Sequence, residues 1–304
     1  MNICFIINPK SGTGNWKGVE SRIADHLSPS FSPTILHTRR AGHATDLAQE
    51  AARTNSIIVA VGGDGLVNET ARGVMAAAAE QPKGGEQDTC LGIIPTGSGN
   101  ALARHLGIPM NQRKAIECLN AMHTEHIDIA TINGEPFFAV AGTGFDAEVA
   151  EKFALSRTRG FWTYIRLGIA GFFTYSPADY IITANHETVK RKAFLISVAN
   201  GSQYGNNAFI APKASMQSGR LEVCILKPFR WYMGLPLGWK LFTKTLHTSP
   251  YMETLNGKDI TIERADGKPM PVHYDGEVME PKRKITITVL AEKLKVILPE
   301  GRTI

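Results

Sequence analysis

The sequence predicts an α/β half followed by an all-β half, and three observations carry that reading. Residues 1 to about 126 alternate short apolar, β-branched runs with segments of helical period, as in a parallel sheet covered on both faces. From about residue 127, short runs bounded by turn residues take over, the texture of an antiparallel sandwich or barrel. A chain of 304 residues also exceeds the roughly 250–300 at which a single core stops growing. The expected division is therefore a doubly wound, mostly parallel domain at 1–126 and a β-rich domain at 127–294. Residues 295–304 are candidates to rejoin the first domain.

Residues 3–7 read as a buried strand running into Asn8-Pro-Lys-Ser-Gly-Thr-Gly14. Trp16, Val19, Ile23 and Leu27 follow at spacings of three and four that keep one helical face apolar. Thr34 to Thr38 reads as a strand and Thr45 to Arg53 as an alanine-rich helix. Ile57 to Val61 is a third strand, with a helix from near Val67. Leu91 to Ile94 is a fourth strand, ending in Pro95-Thr-Gly-Ser-Gly-Asn100, with helices from Ala101 and over Lys114 to Met122. In the second half, Ile127–Thr131 and Pro136–Ala141 flank an Asn133-Gly134 turn, a hairpin signal. Tyr180–Asn185 is expected to pair with Ala193–Ala199. Leu221–Leu226, Ile260–Arg264, Ile285–Leu290 and Leu294–Leu298 complete the strands, and 161–175 and 229–246 read as aromatic helical insertions.

The strand–turn–helix at Ile57 to Glu69 carries the first chemical signal. Gly62, Gly63 and Gly65 permit a tight turn and a close backbone approach to a ligand. A strand, a glycine turn and a helix N-terminus present free N–H groups to an anion. The one carboxylate among them, Asp64, would repel bare phosphate, so it makes best sense with a divalent cation between the two. The alternative is an ordinary turn with a solvated aspartate. Three glycine-rich turns (8–14, 62–65, 95–99) all follow strands, so all can meet at the carboxyl edge where parallel sheets bind ligands. Neither Gly12-Thr-Gly14 nor Gly97-Ser-Gly99 has dinucleotide-fingerprint spacing, and no Gly-x-x-x-x-Gly-Lys-Ser/Thr occurs.

Composition narrows the class. With 43% hydrophobic and 20% charged residues the chain is globular, not disordered. A net charge of +5 suits polyanionic small ligands or an acidic membrane surface, and no Lys/Arg-rich run argues for nucleic acid. Cys4, Cys90, Cys118 and Cys224 are far apart in apolar contexts and read as free buried thiols. The chain opens directly on a strand with no charged-then-apolar leader, and the apolar stretch Phe161–Tyr175 is too short to span a bilayer and contains Arg166. A cytoplasmic protein is expected, with peripheral contact at the inner face of the membrane left open.

Asn8-Pro-Lys-Ser-Gly12, Gly62-Gly-Asp-Gly-Leu-Val-Asn-Glu69 and Pro95-Thr-Gly-Ser-Gly-Asn100, in this order and spacing, resemble the catalytic domain of the diacylglycerol kinase and sphingosine kinase family, which includes the bacterial soluble lipid kinases. The resemblance continues through Gly142-Thr-Gly-Phe-Asp146, Asn200-Gly201, Ala211-Pro-Lys-Ala214 and Asp275-Gly-Glu277. The Gly-Gly-Asp-Gly core is shared with NAD kinases and phosphofructokinases, so a fold of that kind is expected in the first half. What the resemblance implies is an ATP- and Mg²⁺-dependent kinase of phospholipid metabolism, acting on diacylglycerol, a sphingoid base or a related lipid alcohol. It implies that Asn8, Pro9, Lys10, Ser11 and Gly12 contact the nucleotide phosphates, and Thr38 the nucleotide. Gly62, Gly63, Asp64, Gly65, Leu66, Asn68 and Glu69 would carry ATP and its metal, with Thr96, Gly97 and Ser98 beside them. Asp275-Gly-Glu277 matches the acidic motif that supplies a proton acceptor. A carboxylate suits that role, because phosphoryl transfer needs a base for the hydroxyl proton and otherwise needs positioning. If the segment is extended, Asp275 and Glu277 share a face, and Glu277 is favoured as the base. The alternative is that Asp275-Gly276 is a plain hairpin turn.

Two departures from the family pattern stand out. Where family members often carry an Asp-Gly pair that binds a structural Mg²⁺, this chain has Ser218-Gly219-Arg220. A hydroxyl beside a guanidinium is a poor site for a hard cation, so a metal near Ser215, Ser218 and Arg220 is expected to be absent or weak. Leu66 replaces a threonine common in bacterial members and, with Gly97 to Ala103, is closer to the sphingosine and ceramide kinase branch. The rival readings are an NAD kinase and a nucleotide- or phospholipid-binding regulator without turnover. Finally, Phe229 to Phe242 mixes aromatic and basic residues, which suits a lipid interface as well as core or homodimer packing.

Overall fold

The computed structural model describes residues 1–9, 16–80, 89–156 and 161–302, and divides into two compact units. One comprises Met1–Ile127 with Glu292–Ile304, the other Asp128–Ala291. Lys10, Ser11 and Gly12 lie outside the described residues.

The first unit is built from β1 (Asn2–Ile7), α1 (Val19–His26), β2 (Ser32–His37), α2 (His43–Ala51), β3 (Ile57–Gly62), α3 (Asp64–Glu80), β4 (Cys90–Pro95), α4 (Ala101–His105) and α5 (Gln112–Ala121). The sheet runs β2-β1-β3-β4, all parallel, and residues 292–297 add a further parallel strand with Val296 opposite Leu91. Every residue of β3 and β4 is buried, which is why both read as unbroken apolar runs and not as alternating ones. The helix after β3 begins at Asp64, not near Val67. The Val67 N–H reaches the Gly63 carbonyl at 3.1 Å, so the glycine turn is itself the first helical turn. The helix from Ala101 is a single short turn, ended by Leu106 and Gly107 at φ 74.

The second unit is a β-sandwich. After β5 (Thr124–Ile132), which enters it from the first unit, come β6 (Glu135–Phe137), β7 (Val140–Gly144), α6 (Phe145–Leu155), α7 (Phe161–Phe172), β8 (Ala178–Ala184), β9 (Glu187–Ala193), β10 (Leu195–Ala199) and β11 (Leu221–Leu226). Then follow α8 (Gly234–Phe242), β12 (Met252–Gly257), β13 (Asp259–Arg264), β14 (Met270–Tyr274), β15 (Glu277–Lys282) and β16 (Lys284–Ile297), the last running back into the first unit. One antiparallel sheet has the order β12-β11-β10-β7-β14-β15. Strands β16, β13, β8 and β9 form the facing layer, and Ile182, Ile260, Ile262 and Ile285 from it share one core with Ile196, Val223 and Val272.

Several expectations for this half are corrected. Tyr180–Asn185 does not pair with Ala193–Ala199: β8 pairs instead with β9, and β10 belongs to the other sheet. The sequence of β9, Glu-Thr-Val-Lys-Arg-Lys-Ala, is too charged to announce a strand, as suits an edge strand guarded by lysine and arginine. The two strands expected at 285–290 and 294–298 are one 14-residue strand, Lys284–Ile297. Within the 229–246 insertion the α-helix is confined to α8, where Pro236 falls in the first turn and no intrahelical N–H bond is lost. Asp275 and Glu277 are not on one extended strand. Asp275 and Gly276, at φ 47 and 83, are the two-residue turn between β14 and β15.

Candidate active site

The strand order of the first unit reverses between β1 and β3, and at such a switch point the carboxyl ends of the strands leave a crevice. Ile7 pairs with Val61 and His37, and Gly62 with Pro95, so Asn8, Thr38, Gly62–Gly63 and Thr96–Gly97 line up along one edge. Backbone bonds fix the alignment: Asn8 N–H to the Val61 carbonyl (3.5 Å), Thr38 N–H to Ile7 (3.0 Å) and Thr96 N–H to Gly62 (2.9 Å). The glycine turns after β3 and β4 start here, beside Asn8 at the end of β1.

Asp64 ties two of these turns together. Its Oδ1 accepts the Ala101 N–H at 2.5 Å and its Oδ2 the Asn100 N–H at 2.8 Å, so it caps α4 from across the sheet edge. The loop 97–100 is closed on itself by Asn100, whose side chain bonds both the N–H and the carbonyl of Gly97. There is no room for side chains between the turns. A Cβ on Gly97 would sit 2.5 Å from the Gly63 Cα, and one on Gly99 would sit 2.5 Å from Asp64 Oδ2. Ser98, between those two glycines, is therefore held close to Asp64.

Other motif residues have packing or capping work. The Glu69 carboxylate accepts the N–H groups of Gly42 and Ala44 and so caps α2. Asn68 is buried and accepts from Arg72 Nε at 2.6 Å. Leu66 is buried against Gly62, where an added Cβ would come within 2.7 Å of the Leu66 Cβ.

In the second unit the two carboxylates of Asp275-Gly-Glu277 differ. Asp275 accepts three backbone N–H groups, from Phe138 (2.7 Å) on one oxygen and from Ala139 (2.8 Å) and Val140 (3.2 Å) on the other. It welds the β14–β15 turn to the chain entering β7. Glu277 stands opposite Tyr274 at the start of β15 and is half-buried.

A buried polar hub lies in the same unit. Asp146, in the first turn of α6, accepts the Ala147 N–H on Oδ1. Its Oδ2 lies 2.9–3.0 Å from Ser197 Oγ, Tyr204 Oη and His273 Nε2, and the Ser197 and Tyr204 hydroxyls also bond each other. His273 is two residues before Asp275 on β14, so the hub anchors the strand that leads into the acidic turn. Sequence reading had placed Asp146 in a family motif without a role and missed Ser197, Tyr204 and His273. Their spacing of 51 to 127 residues from Asp146 leaves no local signal. Asp128 was also missed. It is buried on β5 between two isoleucines and accepts the Gly219 N–H at 2.6 Å. In that loop the Ser218 hydroxyl has the carbonyls of Ser215 (2.9 Å) and Arg220 (3.0 Å) in reach and donates its one proton between them.

Comparison with known proteins agrees with this geometry. Residues 2–132 match the diacylglycerol kinase catalytic domain, and residues 139–298 match the YegS C-terminal NAD kinase beta sandwich-like domain. The diacylglycerol kinase of Bacillus subtilis strain 168 is 30% identical over 228 residues, 73% of each chain. The "Probable lipid kinase YegS-like" protein of Pseudomonas aeruginosa PAO1 is 28% identical over 289 residues, covering 93% of this chain and 90% of its own. Among solved structures, a diacylglycerol kinase from Bacillus anthracis superimposes with a TM-score of 0.72 at 23% identity, over 99% of this chain and 97% of that one. An ATP-bound NAD kinase from Archaeoglobus fulgidus gives 0.54 at 12% identity, over 100% and 96%. At such identities the structures speak for the fold alone. A glycine-turn α/β unit followed by this sandwich is the fold shared by lipid kinases and NAD kinases. Within that class, the chain belongs to the diacylglycerol kinase family of lipid kinases.

Proposed function

We propose that this chain transfers the γ-phosphoryl group of ATP to the hydroxyl of a lipid. The observation that carries the reading is the meeting of the β3 and β4 turns beside the end of β1, packed so closely that only glycine fits at 97. A ligand there meets backbone N–H groups at close range, including the first turn of α3, which favours a triphosphate. Asp64 would hold Mg²⁺ through water, since a carboxylate oxygen that accepts one backbone N–H can accept a second donor such as a metal-bound water. The metal's contribution would be to offset phosphate charge as the γ-group leaves.

Glu277 is the proposed base. Asp275 accepts three N–H groups and serves as a positioning residue, and Glu277 is half-buried directly after the same turn. Thr38, Thr96 and Ser98 supply hydroxyls along the nucleotide edge, with Asn8 and Pro9 leading into it. The test is transfer of γ-labelled phosphate from ATP with Mg²⁺ to a total lipid extract, followed by mass identification of the labelled product. A labelled lipid is expected. Labelling of NAD and of no lipid would overturn the proposal in favour of an NAD kinase, and ATP binding with no labelled product would leave a regulator.

A further inference from the structure

The outward face of α8 is apolar, the reverse of an ordinary surface helix. Leu235, Trp239 and Phe242 recur at positions i, i+4 and i+7 and all point to solvent, Leu235 at 88% and Trp239 at 72% exposure, while Leu237 faces inward and is buried. The short turn just before the helix adds Trp231 at 71% and Tyr232. The end of α7 adds Ile169 and Phe173, again four apart and exposed. Of the eleven exposed large apolar side chains among the described residues, these are seven, so the patch is not a random scatter.

The two helices meet beneath this surface. Phe172 of α7 packs on Phe229 with ring centroids 5.8 Å apart, and a Cβ on Gly234 would lie 3.2 Å from the Phe172 ring. Phe229 and Phe172 continue into Phe194 and Phe145 at 4.6–6.3 Å, a stack of rings that gives the patch a rigid base. Phe145 immediately precedes the Asp146 hub.

Charge decides what covers the patch. Residues 161–175 and 227–244 contain Arg166, Lys227, Arg230, Lys240 and Lys244, and neither Asp nor Glu. Lys227 is paired with Glu253 at 2.8 Å. Arg230 instead contacts the Tyr232 hydroxyl, Lys240 the Thr248 hydroxyl, and Lys244 lies over the Phe209 ring, so three positive charges at the patch have neutral partners. Exposed Trp and Tyr with a basic rim, on two segments that contain no acidic residue, match a bilayer interface carrying anionic headgroups. A helix of nine residues is too short to cross one, and no helix among the described residues is long and apolar enough to do so.

We infer that α8, the turn before it and the end of α7 form a docking surface for an anionic lipid bilayer. The indole, phenol and leucine side chains enter the headgroup layer, and Arg166, Arg230, Lys240 and Lys244 meet its phosphates. This deepens the lipid-kinase reading and rests on it for its purpose, because an acceptor with long acyl chains has to be taken from a membrane.

The test uses the full chain with vesicles that contain neither ATP nor acceptor, so binding is read apart from turnover. Vesicles of phosphatidylcholine alone are compared with vesicles carrying about a third phosphatidylglycerol. Binding to the anionic vesicles is expected, weakened by salt and accompanied by a blue shift of tryptophan emission, since two of the four tryptophans lie in the patch. Trp231→Ala/Trp239→Ala and Leu235→Ser should each weaken it by ~10-fold or more, and Arg230→Glu/Lys240→Glu should remove the preference for anionic vesicles. Phosphoryl transfer to a short-chain diacylglycerol dispersed in detergent should be unchanged in all three, and unchanged melting temperatures would show that they fold. Wild-type protein that ignores both vesicles, or variants that bind as well as wild type, would overturn the docking surface even if transfer to lipid were observed. A patch that instead holds two copies of the chain together would show as a dimer dissociated by Trp231→Ala/Trp239→Ala, and would overturn it equally.

Discussion

Asp64 in the first unit and Asp275 in the second do the same local task in different settings. Each sits beside a glycine in a turn, and each carboxylate gathers backbone N–H groups from a segment far away in sequence: two for Asp64 and three for Asp275. What differs is the company. Asp64 lies at the carboxyl edge of a parallel sheet, at the start of a 17-residue helix and against two further strand ends. Asp275 closes an antiparallel hairpin, where strand dipoles nearly cancel. A carboxylate that organises backbone is thus not by itself a catalytic group. Its surroundings decide what else it can do.

The largest expected effect is at Asp64. Asp64→Ala should cut phosphoryl transfer by ~10²-fold or more, because it removes both the proposed metal contact and the clamp on the 97–100 loop. Asp64→Asn, which keeps one acceptor oxygen, should recover stability but not turnover. If Asp64→Asn were as active as wild type, the distinction between the two aspartates would be lost.

The acidic turn allows a sharper contrast. Asp275→Asn should destabilise the second unit by roughly 1–3 kcal/mol, since an amide N–H₂ would face backbone donors. Glu277→Gln should leave the melting temperature nearly unchanged yet lower turnover by roughly 10²-fold, as loss of a general base does. Thermal melts alongside transfer rates separate the two. Equal losses of stability in both variants would return Glu277 to a structural role.

What the sequence made legible follows the same division. In the first unit the information is local. A buried strand, a glycine turn and a helix start within about a dozen residues of one another, so Ile57 to Glu69 could be read as a unit and its partners at 8 and 95 found by the same signs. In the second unit the decisive bonds are long-range. Asp146 reaches Ser197 and His273 across 51 and 127 positions, and Asp275 reaches Phe138 across 137. The edge strand β9 was hidden by its charge, and β14 and β15 because Asp275-Gly276 reads either as a hairpin turn or as part of an extended segment. Glu69 shows the converse: its place in a recognisable motif suggested nucleotide, whereas the structure uses its carboxylate to cap α2.

The buried histidines extend the comparison to pH. In the second unit, His273 is held against Asp146. In the first, burial and then the nearby Arg302 push His105 down to about 4 from an ordinary 6.5. As pH falls, the unfolded chain takes up this proton first, so the stability His105 confers is present above 6.5 and is lost as pH falls through that value toward 4. The amount is roughly 3 kcal/mol at most. Denaturant midpoints at neutral and acid pH should therefore converge in His105→Gln relative to wild type. Parallel pH curves for the two proteins would show that His105 is not the group responsible.

The smallest expected effect concerns the glycines themselves. Gly97 and Gly276 both mark motif turns, for different reasons. Gly97 is required by space, since an added Cβ falls 2.5 Å from the Gly63 Cα and backbone cannot yield as a side chain can. Gly276 is required by conformation, since φ is 83 but nothing lies within 4 Å of an added Cβ. Gly97→Ala should thus cost about 1–3 kcal/mol and also lower transfer, because it spreads the two turns that meet the phosphates. Gly276→Ala should cost only about 1 kcal/mol, the strain of a left-handed alanine, and Gly276→Asn should recover part of it because asparagine tolerates that region. Were Gly276→Asn no better than Gly276→Ala, the turn would be answering to space after all, and the two glycines would be equivalent.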